Sequence, residues 1–122
     1  MLRSFKQPLG TVNESSGFAL DVSVLDASGT ASQPTTLEWR LVCVSTDDTL
    51  QDWTTIAPTL AYDANGAIIA VTAELTIPGP LNALQTSGLA QEQKAIIVVA
   101  DRGLDTEWSV EGEYYVVRLE AR

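Results

Sequence analysis

Histidine is absent from this sequence. With it go the commonest general base and the commonest metal ligand. No Ser-His-Asp or Cys-His arrangement can form within one chain. Cysteine occurs once, at Cys43, so no internal disulfide is possible, and one cysteine without histidine cannot make a tetrahedral zinc site. A disulfide-free chain fits a reducing cytoplasm, or a fold with no need of staples. Basic residues are few: 7 against 16 acidic, for a net charge of −9. Arg3, Lys6, Arg40, Lys94, Arg102, Arg118 and Arg122 are scattered without a cluster. Phosphate binding needs concentrated positive charge, so the expectation is no nucleic acid and no anionic membrane surface as partner. No window approaches the roughly 20 apolar residues of a membrane span. The opening MLRSFKQPLGTV lacks the apolar run of a signal peptide, so synthesis in the cytoplasm is expected. Glycines sit singly, with no phosphate-cradling loop. No segment keeps a helical period.

What is present is a period of two. Leu37 to Val44 alternates strictly, with Leu37, Trp39, Leu41 and Cys43 on one face and Glu38, Arg40, Val42 and Val44 on the other. That is a half-buried β-strand. Cys43 reads as a buried core thiol. Thr46-Asp47-Asp48-Thr49 is a turn, and Leu50–Ile56 is a second strand carrying Trp53. Trp39 and Trp53 on adjacent strands are expected at the centre of a core.

The remaining elements follow in order. Residues 1–17 are polar and mixed, and read as an extended N-terminal arm: a first strand if it packs on its own domain, an assembly tail if it reaches a neighbour. Residues 18–122 form one domain. Phe18–Leu25 alternates, and Asp26-Ala27-Ser28-Gly29 turns the chain. Pro34 and Pro58 bound strands. Asn65-Gly66, after Asp63, is a hairpin signal, because both positions tolerate positive φ. Ile69, Val71, Ala73, Leu75 and Ile77 then alternate against Ala70, Thr72, Glu74 and Thr76 up to Pro78-Gly79-Pro80. Leu81–Gly88 is a short helical turn or an irregular crossover. Gln93–Ala100 is apolar on both faces, which suits a central strand covered on both sides or an interface strand. Asp101-Arg102-Gly103 turns, and Trp108 stands in a polar loop at 104–112. Glu113–Glu120 closes the domain with Tyr115, Val117 and Leu119 inward and Tyr114 outward. The core is therefore expected to hold Trp39, Leu41, Cys43, Trp53, Val71, Leu75, Ile97, Val99, Tyr115 and Val117.

Short strands separated by frequent turns predict an all-β, antiparallel, immunoglobulin-like sandwich of about seven strands, with a jelly roll or small β-barrel as the alternative. Three acidic groups bear on calcium: Asp47, Asp48 and Asp52; Asp63 with Asn65; and Asp101, Asp105 and Glu107. None completes an EF-hand loop, and each has a plain reading as turn chemistry, so no metal and no cofactor is expected. Sixteen carboxylates always leave room for a catalytic pair, yet most fall in loops or at outward positions. The expectation is a protein that is not an enzyme.

Several stretches carry a resemblance. They are Val22–Gly29 (VSVLDASG), Pro34-Thr35-Thr36 with Trp39-Arg40-Leu41, Gln51-Asp52-Trp53-Thr54, and Leu75-Thr76-Ile77-Pro78. They continue with Leu81-Asn82-Ala83-Leu84, Ile97–Gly103 (IVVADRG) and Tyr114–Leu119 (YYVVRL). In order and spacing, over residues 18–120, they resemble small immunoglobulin-like structural proteins of tailed-bacteriophage virions. The resemblance implies a non-catalytic virion component: a capsid decoration or cement protein, or a neck or tail-associated one. Its partners would be other virion proteins, capsid or connector subunits, with a homo-oligomer in the particle. The longer N-terminal arm and the Ala57–Ala67 insertion depart from the pattern. Candidate interface residues are Leu2, Phe5 and Leu9 of the arm, with Trp108 and Tyr114. A carbohydrate- or receptor-binding module on the same fold, using loop aromatics, is the competing reading.

Overall fold

The computed structural model describes residues 3–25, 28–85 and 90–118, with the backbone alone for 3–8. Leu2, Asp26-Ala27 of the predicted turn, residues 86–89 of the predicted crossover, and Leu119 and Glu120 lie outside the described residues.

Among the described residues there are eight strands: β1 (Arg3–Asn13), β2 (Phe18–Ser23), β3 (Leu37–Cys43), β4 (Asp48–Thr55), β5 (Thr59–Tyr62), β6 (Ile68–Ile77), β7 (Gln91–Ala100) and β8 (Trp108–Val117). They form a five-stranded sheet in the order β1-β8-β7-β3-β4 and a three-stranded sheet in the order β2-β6-β5. β8, β7 and β3 in one sheet with β2, β6 and β5 in the other is the strand arrangement of an immunoglobulin-like sandwich. The strand beyond the expected seven is β5, four residues held between Pro58 and the hairpin turn.

One pairing departs from the antiparallel expectation. β1 runs parallel to β8, from Arg3 opposite Trp108 to Asn13 opposite Val117. Parallel neighbours need a long connection, and here it is the whole intervening domain. The expected arm thus packs on its own chain as a sheet edge. Its register shifts between Pro8 and Gly10, where Gly10 takes φ 95°. Leu9 lies at that shift against β8: a Cβ on Gly112 would stand 2.6 Å from Leu9 Cδ1. Glycine at 112 is the space into which Leu9 fits.

The β5–β6 hairpin closes through Asp63. Its Oδ1 accepts the Asn65 and Ala67 backbone N–H groups at 2.8 and 3.0 Å, and Gly66 sits at φ 84°. A second shift, between Ala61 and Tyr62, breaks the phase of β6 at its start. Ile69, expected to follow the inward alternation, is therefore 60% exposed, whereas Val71, Ala73, Leu75 and Ile77 are buried.

The core lies between the sheets. Leu37, Trp39 and Leu41 from β3, Ile96 and Val98 from β7, and Tyr114 and Val116 from β8 meet Val22 and Val24 and the inward side chains of β6. Phe18 sets its ring edge-on to Tyr114, 5.1 Å between centroids.

The β8 expectation is corrected here. Tyr114 is buried and Tyr115 is 39% exposed, with Val117 only half-buried. β8 begins at Trp108 and not at Glu113, and its register sets Tyr114 opposite Lys94 and Val116 opposite Glu92 on the inner face. Tyr115 and Val117 consequently share the outer face with Glu111 and Glu113. Ile97 also faces outward and is half-buried, between Arg40 on β3 and Glu111 on β8. Val99 is buried on that same outer face. β7 is apolar on both sides because its outer face is roofed by its neighbours' side chains.

Candidate functional site

Two groupings of polar side chains stand out, one inside the sandwich and one on the outer face of the larger sheet. The inner one sits below the crossover from β6 to β7. That crossover begins with a single 3-10 turn, Gly79–Asn82, entered from Pro78. Asn82 is fully buried. Its Nδ2 donates to Ser16 O at 2.6 Å, its Oδ1 accepts from the Tyr114 hydroxyl at 2.6 Å, and its carbonyl accepts from the Ser15 N–H at 2.9 Å. Lys94 reaches the same segment from β7, donating to the carbonyls of Leu81 and Ala83 at 2.9 and 2.8 Å. Glu92 accepts from the Gln85 N–H at 2.7 Å and from the Cys43 thiol at 3.8 Å.

A buried backbone segment must find partners for its polar groups. Lys94 and Glu92 supply them, while Asn82, held by the Tyr114 hydroxyl, ties the crossover to the Ser16 carbonyl. Burial pulls the Lys94 ammonium below its usual range, opposed by the nearby Cys43 and Glu92. Burial likewise pushes the Tyr114 hydroxyl upward. Alternation alone does not reveal this cluster, although Glu92 and Lys94 fall in phase with the apolar Ile96, Val98 and Ala100.

The outer grouping is built on Trp53. It is expected in the core, but it lies half-buried on β4, on the outer face of the larger sheet. The β3–β4 register is irregular between Trp39 and Leu41, and Thr54, not Trp53, pairs with Trp39. Trp39 enters the core, and Trp53 is left with the opposite face. There the Arg40 and Arg102 guanidiniums lie over its ring, 5.0 and 4.7 Å from the centroid. Arg102 is also clamped by Glu38, with Nε to Oε1 at 3.1 Å and Nη2 to Oε2 at 2.9 Å. That two-point contact holds the Glu38 carboxyl below the usual carboxylate range and raises Arg102. Arg40 has no such partner. It donates no hydrogen bond to any described residue, and its Nε is a buried, unpaired nitrogen.

The other candidates are dispersed. Trp108 opens β8, is half-buried, and packs against the core. Leu9 packs against the core over Gly112. Phe5 belongs to the backbone-only part of β1. Three of the acidic residues considered for calcium bond neighbouring backbone or hydroxyl groups. Asp101 accepts the Thr35 and Thr36 N–H groups at 2.6 and 3.2 Å and the Thr106 hydroxyl at 2.6 Å. Glu107 accepts the Gly103 N–H at 2.9 Å, and Asp52 the Trp53 N–H at 2.8 Å. Among the described residues no three His, Cys, Asp or Glu side chains gather as metal ligands, and no helix is long and apolar enough to cross a membrane. Compared with protein-family models, with curated proteins and with solved structures, the chain finds no match.

Proposed function

We propose that this protein is a non-catalytic structural component of a tailed-phage virion: a capsid decoration or cement subunit that docks on the shell through its sandwich and its N-terminal strand. The observation that carries the reading is β1. It is an 11-residue strand on the rim of the larger sheet, and among the described residues only one of its two edges is paired, to β8. An unpaired strand edge is a template for adding another chain. Among the described residues, the stretches that carry the phage resemblance fall on strands and the connections between them, including the β6–β7 crossover. A net charge of −9 suits docking on basic shell patches and repels packaged nucleic acid. A seat at the neck or tail uses the same features.

The competing reading, a carbohydrate- or receptor-binding module, needs an open aromatic platform. Trp108 packs on the core and Trp53 lies under two guanidiniums, which disfavours it. The test is immunogold labelling of density-gradient-purified particles of the phage that encodes the chain. Regular labelling of the shell is expected. Label confined to neck or tail would move the subunit there, and particles devoid of the protein would end the structural reading.

A further inference from the structure

We infer that the Asn65-Gly66 tip of the β5–β6 hairpin is a self-modification site, at which the chain converts Asn65 to isoaspartate and aspartate and so loosens β5. The inference does not depend on the virion reading. The chain holds three asparagines, and the structure separates them. Asn82 is fully buried, with both ends of its side-chain amide bonded. Asn13 is exposed, but the next residue is Glu14, whose Cβ shields its own nitrogen and whose N–H is held by the Val117 carbonyl at 2.8 Å. Asn65 is exposed, and its side-chain amide bonds no described residue. The next residue, Gly66, has nothing within 4 Å of where a Cβ would stand. Without that Cβ its backbone nitrogen can be approached closely.

The reaction needs only water. Gly66 N gives up its proton to solvent and forms a bond to Asn65 Cγ, closing a cyclic imide, and the side-chain nitrogen leaves as ammonia. Water then opens the imide on one side or the other, leaving aspartate or isoaspartate. Water enters, ammonia leaves and nothing is oxidised. The turn is the gate. Gly66 donates its N–H to the Asp63 carbonyl at 3.1 Å, and Asp63 Oδ1 accepts the N–H groups of Asn65 and Ala67 on either side. The attacking nitrogen is released only when the turn opens locally. In the isoaspartyl product the main chain runs through the side-chain carbon. Asn65 N and Ala67 N then stand one bond further apart along the chain, and Asp63 Oδ1 cannot keep both. The new carboxylate also stands beside that of Asp63, and like charges repel. β5 is four residues long, is paired among the described residues on one edge only, and runs directly into this turn.

The test is to hold the full native chain in warm, mildly alkaline buffer beside a urea-unfolded sample, and to follow intact mass and the tryptic peptide map. The native chain is expected to gain about 1 Da, all of it in the peptide bearing Asn65. Isoaspartate is scored by methyl transfer from S-adenosylmethionine with an isoaspartyl methyltransferase. Asp63→Ala should convert at least about threefold faster than wild type, because it frees the turn, and Asn65→Ser should not convert. In the aged wild type, hydrogen exchange should quicken in the β5 amides. Near-ultraviolet circular dichroism reports whether Asp63→Ala is folded; if it is not, the aged wild type decides alone. A native chain that keeps its mass while the unfolded one converts, a gain that maps to Asn13 or Asn82, a folded Asp63→Ala that reacts at the wild-type rate, or unchanged exchange in β5 would each overturn the proposal.

Discussion

Lys94 shows how one side chain can be chosen against its usual preference. A lysine is rarely fully buried unless paired, and this one is, because the two carbonyls above it need donors. Replacing it with methionine keeps the apolar stem and leaves the Leu81 and Ala83 oxygens unsatisfied. The expected cost is about 2–4 kcal/mol in urea unfolding, against about 1–2 kcal/mol for Tyr114→Phe, which loses a single hydrogen bond to Asn82. The pH dependence carries a second signature. Burial lowers the Lys94 value in the folded chain, so between that value and about 10.5 the unfolded chain binds more protons. Its contribution to stability therefore rises with pH across that window. Lys94→Met removes that rise, and unfolding midpoints measured from pH 7 to pH 10 should be flatter in the variant. Glu38 and Arg102, by contrast, bond at the surface, where a single ion pair adds little stability.

At the scale of elements, β1 is the informative case. Its backbone pairs with β8 along ten positions, but its seat depends on one small residue. Gly112 leaves room for Leu9, and a Cβ there would stand within 2.6 Å of the leucine methyl. Gly112→Val is expected to lift β1 near its register shift and to cost about 1–3 kcal/mol. Hydrogen exchange should then quicken in the β1 amides while β3 and β7 keep their protection, and unchanged exchange in β1 would refute that seat. β8 illustrates the other lesson of this scale. Read from Glu113 onward, its alternation is ambiguous, because Tyr114 and Tyr115 are equally good core residues. Read from Trp108, Glu111 and Glu113 mark the solvent side and Tyr115 falls in phase with them.

Charge decides what happens at the scale of the whole molecule. With 16 acidic and 7 basic residues, copies repel one another at neutral pH, and any self-association must come from local complementarity. As pH approaches the isoelectric point near 4.2, that repulsion vanishes. Solubility should pass through a minimum there and recover below it, which turbidity across a pH series would show. A protein equally soluble at pH 4.2 and pH 7 would mean that the open sheet edges, and not net charge, govern its association.

The sequence by itself determined the fold class. Alternation in Phe18–Leu25, Leu37–Val44 and Val71–Ile77, with Asn65-Gly66 and the prolines as punctuation, is enough for a two-layer β-sandwich, because strand period and turn chemistry are local. It also removed histidine- and zinc-based chemistry from consideration, since those need residues the chain lacks. Tertiary structure decided what local pattern leaves degenerate. The parallel seat of β1 depends on a partner a hundred residues away. The outward place of Trp53 depends on an irregular register with β3, and the burial of Lys94 on carbonyls brought over it by the crossover. The rows that set Arg40, Ile97 and Glu111 side by side exist only once three strands are aligned. Each of these depends on which residues are brought opposite one another, and alternation within a single strand does not carry that information.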